Sequence, residues 1–186
     1  MVYRKDKLNT VNEDGEVIGV EERGRIHGEG LLHREIHVWF YTPDGKVLFQ
    51  LRGENVDTYP NLLDVTVGGH LEIGDDYVDA AAREVEEETG VKVKPEKLES
   101  LGVLHTTSHD PVTGNTNNLL KGTFAYKFEG DVSDLVPESG DKSQGFEAWP
   151  IETILNISEK DRPRFIQAIF EPIFQDVLRK IKKLLD

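Results

Sequence analysis

The spacing of apolar and polar positions changes several times along the chain, and each change marks an element. "EVIGVEERG" follows a turn signal at Glu13-Asp14-Gly15 and reads as a short strand. In "IHVWFYTPDGKVLFQLR", Val38, Phe40, Val47, Phe49 and Leu51 alternate with other residues around Pro43-Asp44-Gly45, which predicts a hairpin. "NVDTYPNLLDVTVGGH" joins a proline turn to a short β-prone run. "LESLGVLHTTSH" and "LLKGTFAYKFEG" read as two strands joined by the polar stretch "DPVTGNTNN". That stretch is a candidate substrate lid, although polar loops need no such role. "QGFEAWPIETIL" reads as a strand passing into a turn of helix.

Two segments carry a helical period. Asp75 and Asp76, after Gly74, are N-cap candidates, and Gly90 is a stop signal, so a helix is expected from about Tyr77 to Thr89. At about 100° per residue, Val78, Ala81, Ala82 and Val85 turn to one side, towards a core. Residues 158–185 read as a helix interrupted at Pro172, with Phe165, Ile169, Ile173, Val177, Leu178, Ile181 and Leu185 in an apolar stripe. The stripe suits core packing. Covering a second subunit is its other use, and a homodimer is possible on that ground. The mixture is α+β, antiparallel hairpins flanked by few helices. With no repeat, low-complexity linker or second domain in view, the 186 residues are expected to form one domain, with a core over about 16–157 and a C-terminal helix over about 158–185.

Composition narrows the class. Hydrophobic residues make up 37% and the mean hydropathy is −0.47, and no apolar run approaches the roughly 20 residues that span a bilayer. No apolar segment follows the basic residues at the N-terminus, so no signal peptide is expected. Absence of cysteine excludes disulfides, zinc-thiolate sites and thiol nucleophiles. These features predict a cytoplasmic protein with no membrane partner. A net charge of −13 repels nucleic-acid backbones, so no nucleic acid is expected as a partner. The basic cluster Arg179 to Lys183 fits the polar face of the last helix, near its C-terminal dipole end.

The helix at 77–89 is where charge carries chemistry. Glu84, Glu87 and Glu88 stand at i, i+3 and i+4 and share a face, while Glu86 points away. Like charges at that spacing repel, and they lie towards the negative end of the helix dipole. Such a face is either a solvated surface or a holder for a hard cation such as Mg²⁺ or Mn²⁺. "VTVGGH" brings two glycines up to the helix, where exposed backbone can meet a phosphate or a metal. Arg83 can orient a glutamate by a bidentate contact.

Gly69, five residues, Asp75, seven residues, then Arg83-Glu84-Val85-Glu86-Glu87-Glu88-Thr89-Gly90-Val91 resembles the signature of the Nudix hydrolases. Every fixed position fits except Asp75, where the family has Glu. With the flanks "YPNLLDVTVGGH" and "FEAWPIETI", the likeness runs over roughly 16–157. The resemblance implies an α/β/α sandwich around a mixed sheet, with the signature as loop-helix-loop. It also implies metal-dependent hydrolysis of a diphosphate linked to some group X, most often in a nucleoside diphosphate derivative. Carried over by position, Glu84, Glu87 and Glu88 would bind Mg²⁺ or Mn²⁺, with a main-chain carbonyl near Gly68 or Gly69, and Arg83 would hold the glutamates. The general base varies within the family. Glu84, Glu138 and Glu147 are the candidates here. Arg52, Tyr59 and His70 are candidates for substrate contact, each with an ordinary packing or surface role as the alternative. His33, His37, His105 and His109 show no metal spacing.

"LLDVTVGGH" followed by "GDD" also resembles the branch that includes isopentenyl-diphosphate isomerases. Those enzymes use a cysteine and a glutamate for proton transfer, and this chain has no cysteine. Two further readings stand beside the hydrolase. One is a cysteine-free relative of the isomerase. The other is a non-catalytic nucleotide-binding module, against which the three retained glutamates argue.

Overall fold

The computed structural model describes residues 6–56, 58–110, 113–138, 140 and 142–185. Nine strands and four α-helices are arranged as β1 (Lys7–Val11), β2 (Val17–Glu22), α1 (Arg23–Glu29), β3 (His33–Tyr41), β4 (Lys46–Arg52), β5 (Leu63–Val65), β6 (Val67–His70), α2 (Tyr77–Thr89), β7 (Glu99–His109), β8 (Thr116–Lys127), β9 (Ser143–Pro150), α3 (Ile151–Leu155) and α4 (Pro172–Lys183). The class is α+β, with a mixed sheet between helices.

The predicted hairpin forms and then opens. β3 and β4 pair at Tyr41–Val47 beyond the turn, after which each strand takes other neighbours. β3 runs antiparallel to β6 and parallel to β8, while β4 lies between β5 and β9, antiparallel to both. At the split, the Thr66 hydroxyl accepts from the Phe40 amide at 3.0 Å and donates to the Leu48 carbonyl at 2.5 Å. One buried side chain thus serves backbone groups that the parted strands cannot offer each other. The split opens the cleft described below.

Alternation along β3 serves two cores instead of one. Ile36, Val38 and Phe40 pack with Ala80, Ala81 and Val85 of α2. Trp39 and Tyr41 face the other way and pack with Phe49, Leu63, Phe165 and the α4 residues Phe174, Val177, Leu178 and Ile181. Residues covered on both sides show no polar alternation, which is why one-sided period-2 reading of this hairpin was incomplete.

Helix α2 spans the expected residues, and Asp76 alone caps it, accepting from the amides of Val78 and Asp79. A Ser/Asp cap of this kind contributes about 1 kcal/mol. Gly90 closes the helix with a φ of 72°, the left-handed conformation that glycine adopts without strain. The ring of Tyr77 lies against Gly122 of β8, where a Cβ would overlap it, and its hydroxyl donates to the Leu120 carbonyl at 3.2 Å. Helix and sheet are pinned together at the helix start.

Three expectations need correcting. The interruption at Pro172 is where α4 begins, but the helical stretch expected before it is not formed: short 3₁₀ turns stand there at Arg162–Arg164 and Gln167–Phe170. Pro163 and Pro172 lack the amides that an α-helix through this stretch needs. The stripe's apolar residues still reach the core, Phe165 from a turn and Val177, Leu178 and Ile181 from α4. Second, the strand expected over "EVIGVEERG" ends at Glu22, and its last residues, Arg23 and Gly24, open α1, of whose seven residues only Ile26 is buried and two are glycines. Third, β7 ends at His109 as expected, but β8 begins at Thr116, inside the polar stretch, leaving a tight connection closed by Asp110 N to Asn115 O and Gly114 N to Asp110 O, both 2.9 Å. Pro111 and Val112 of that stretch lie outside the described residues.

Candidate active site

The carboxylate face of α2 lies beside β6, and glycine makes the approach possible. A Cβ on Gly69 would overlap the Glu84 carboxyl. Arg83 is the hub. Its Nη1 lies 2.7 Å from Glu84 Oε1 and 3.8 Å from Glu87 Oε1. Its Nη2 lies 3.1 Å from Asp75 Oδ2 and donates to the His70 carbonyl at 3.3 Å. Glu88 turns the other way and accepts from Gln50 Nε2 at 3.1 Å. Burial pushes the Glu88 carboxyl up to about 8, with Glu84 and Glu138 adding to the rise and Gln50 and the Gly68 backbone opposing it. A carboxylate surrounded by others is poorly compensated by the protein alone, and a divalent cation is the chemistry that compensates it.

These residues line a cleft of about 710 Å³. Gly68, Gly69, Glu84, Glu87 and Glu88 line it together with Glu138 and Lys142, which pair at 2.6 Å. An adjoining cavity, also about 710 Å³, shares Arg23, Glu35, His37, Arg52, Asp64 and His70 with the cleft and continues to Phe174.

The NUDIX domain family profile matches residues 31–169, three-quarters of the chain. The chain belongs to the NUDIX domain family. It is 36% identical over 101 residues to Nudix hydrolase 3 of Arabidopsis thaliana, a match covering 53% of this chain and 13% of that protein. It is 33% identical over 105 residues to an uncharacterized Nudix hydrolase of Clostridium acetobutylicum, covering 55% of this chain and 50% of that one. The matches thus span half or less of these relatives' own length. Among solved structures, DR0079 from Deinococcus radiodurans superposes with a TM-score of 0.66 at 22% identity, over 94% of this chain and 98% of that one. The NUDIX domain of Shewanella oneidensis NrtR, complexed with ADP ribose, gives a TM-score of 0.57 at 14% identity, over 83% and 89%. Likeness at these identities is a likeness of fold.

Within this Nudix domain the candidate residues separate. Arg83, Glu84, Glu87, Glu88 and Gly68 come together in the cleft. Glu147 does not join them: Arg164 Nη2 holds its two oxygens at 2.7 and 2.9 Å, and Trp149 Nε1 donates to it at 3.0 Å. Its strand position points it at the Trp149–Phe165 side of β9, the face opposite α2. Arg52 lines both cavities but is already engaged, donating to the Thr58 carbonyl at 2.9 and 3.0 Å and pairing with Asp64 at 3.3 Å. Tyr59 sits at the rim of the inner cavity, 46% exposed, with a φ of 53° that few non-glycine residues adopt.

His70 sends its ring away from the glutamates to a cluster that the sequence did not disclose. Its ring stacks on His33 at 5.2 Å, and His27 meets both edge-on at 4.9 and 5.3 Å. Ligand atoms of the three lie within 4.8 Å of one another, close enough to share a metal ion. Burial lowers all three, keeping the imidazoles neutral. His33 Nδ1 lies 2.9 Å from the Leu31 carbonyl, which leaves Nε2 as a buried, unpartnered lone pair. The three histidines come from α1, β3 and β6, so no spacing rule finds them. Gln50, Glu35 and Lys121 carry no motif of their own, and His37 stood out only as a histidine without metal spacing; strands that pair far along the chain bring Glu35, His37 and Lys121 together.

Proposed function

We propose that this Nudix domain hydrolyses a diphosphate linkage in a nucleoside diphosphate derivative, with Mg²⁺ or Mn²⁺ bound. The supporting observation is that Arg83, Glu84, Glu87 and Glu88 line one open cleft, with Asp75 behind them holding Arg83. Glu84, Glu87, Glu88 and the Gly68 backbone would hold the ion. The ion supplies charge neutralisation at the phosphate oxygens and lowers the barrier to attack of water at phosphorus.

The chain's own groups do the rest. Arg83 orients Glu84, and Glu84 or Glu138 is placed to accept the proton of the attacking water at a carboxylate oxygen. Glu138 lines the cleft and Glu147 does not, so of these two glutamates Glu138 is the one favoured as base. Arg52, Tyr59 and the His70 backbone border the space left for the substrate, Arg52 chiefly by holding the 53–62 loop. The bound ADP ribose of the NrtR relative is a ligand of this chemical class.

The test is a hydrolysis screen of nucleotide sugars, dinucleotide cofactors, nucleoside di- and triphosphates and isopentenyl diphosphate, with Mg²⁺ or Mn²⁺, on wild type and Glu87→Gln. Cleavage at a diphosphate, reduced at least about 100-fold in the variant, is the expected result. No cleavage of any of these, or equal cleavage by the variant, sinks the reading.

A further inference from the structure

The inner cavity has a floor of unusual composition. Lys121 of β8 is only 7% exposed, on a face whose neighbours are core aromatics. Its Nζ lies 2.9 Å from His37 Nε2 and 3.1 Å from Glu35 Oε2, and sits 5.5 Å from the centre of the Phe174 ring. The parallel register of β3 and β8 sets Glu35 beside Lys121. Burying an ion pair among aromatics costs stability unless something uses it.

The hydrogen bonding around the ammonium is incomplete, chiefly on the donor side, with Glu35 Oε2 the one acceptor of the group that is ion-paired but not hydrogen-bonded. An ammonium only donates, so His37 Nε2 accepts and its Nδ1 carries the proton. Burial and Lys121 push His37 down to about 3, which keeps the ring neutral. His37 Nδ1 is buried without a hydrogen-bond partner among the described residues, and so is Trp39 Nε1. Lys121, His37 and Trp39 all line the inner cavity. Its floor therefore holds two N–H donors with no acceptor, next to an ammonium that contacts His37 Nε2 and is ion-paired with Glu35 Oε2. Native interiors rarely leave such donors unmet.

We propose that Lys121, held by Glu35 and His37, reads the X group of the substrate, and that X offers neutral hydrogen-bond acceptors there, as a carbonyl-bearing nucleobase does, instead of a hydrocarbon. The inference rests on the diphosphate reading above, which puts the phosphates against α2 and X in the adjoining cavity. Glu35 already neutralises Lys121, and Arg52 pairs with Asp64, so a further anion finds no free countercharge beside Lys121; the other cation lining the cavity, Arg23, acts on His27, His33 and His70 instead. A hydrocarbon would leave every donor unpaired. A planar acceptor-bearing ring meets the donors and can lie against Phe174.

Calorimetric binding tests this without requiring turnover. Wild-type protein is titrated with nucleoside monophosphates of carbonyl-bearing bases, with isopentenyl monophosphate, and with Mg²⁺-pyrophosphate. The charge-neutral pair K121M/E35Q is titrated alongside, its folding checked by melting, and K121R, which keeps the charge but moves the donors, serves if the pair does not fold. Expected is at least tenfold tighter binding of a nucleotide than of isopentenyl monophosphate, lost at least tenfold in the variant, with pyrophosphate binding unchanged within twofold. No preference in wild type, an unchanged nucleotide affinity in the variant, or an equal fall for pyrophosphate overturns it. Lys121-dependent binding without hydrolysis would sink the hydrolase reading and leave this one standing. Hydrolysis of a nucleotide indifferent to Lys121 does the reverse.

Discussion

Arg83 and Asp75 meet at 3.1 Å across the first two turns of α2, and the other arm of the same guanidinium lies 2.7 Å from Glu84. Asp76 is the residue that caps the helix, so Asp75 is released for this contact. Its Oδ2 also accepts from the Glu72 amide at 3.2 Å, which fixes the carboxylate before it meets Arg83. The shorter side chain, standing where the family has Glu, thus reaches its partner. Asp75→Ala is expected to lower kcat by about 10-fold, as loss of a residue behind a ligand does, with little change in melting temperature. Asp76→Ala is expected to cost about 1 kcal/mol of stability and leave kcat alone. Steady-state kinetics and thermal melts on the two variants check the division. A full-rate Asp75→Ala would show that Arg83 needs no such support.

Gly69 tests the fit of strand to helix. The atoms nearest a Cβ there all belong to the Glu84 side chain, which is flexible. Gly69→Ala should therefore fold with a stability loss below about 1 kcal/mol, the range of a tolerated surface change, while displacing Glu84 and cutting kcat/KM by about 100-fold. A variant that keeps its rate would mean that the position of Glu84 is not decisive.

How much of this was legible from residues alone follows from where the information lies. The bounds of α2 were legible because its signals are local: a cap, an apolar side, a glycine stop. So was the glutamate face, since i, i+3, i+4 spacing sets it. The family resemblance carried Arg83 and Gly68, and the profile match confirms the family. The split of β3 from β4 was not legible, because strand partners beyond the first pair are chosen by β6, β8, β5 and β9. For the same reason the histidines of α1, β3 and β6 gave no signal, and Lys121 looked like any strand lysine until β3 lay beside it. The helix expected before Pro172 does not form, because Pro163 breaks the amide ladder there while the apolar stripe reaches the core from short turns.

Glu147 gives a contrast with the cleft glutamates. It is held by Arg164, whose guanidinium also lies 5.0 Å from the Trp149 ring centre. Both partners are partly exposed, so the pair contributes at most about 1 kcal/mol. Glu147→Gln is expected to hold kcat/KM within twofold, and Glu138→Gln to lower kcat at least about 10-fold, consistent with loss of a general base. Parallel kinetics decide it, and the opposite ranking would return Glu147 to the catalytic set.

The raised Glu88 carboxyl links stability, pH and metal with a definite sign. Its ordinary value is 4.5, and the folded chain moves it to about 8. Between those values the folded state holds a proton that the unfolded state has lost, so unfolding free energy falls as pH rises. The stability from protonated Glu88 is complete below 4.5 and is lost through 8. A cation needs the carboxylate, so its binding expels that proton, and Mg²⁺ should raise the melting temperature more at pH 9 than at pH 6. The neutral histidines act the other way, below their ordinary 6.5, but they are common to wild type and Glu88→Gln and cancel in the difference. In metal-free buffer the variant should gain on wild type between pH 6 and pH 9 by at least about 1.4 kcal/mol, the worth of one pKa unit. Adding Mg²⁺ should reverse the order at pH 9, because only wild type keeps the ligand. Scanning calorimetry at the two pH values, with and without Mg²⁺, reads all four quantities. A wild-type-to-variant difference that ignores pH would mean that Glu88 is ionised throughout and that its surroundings already compensate it.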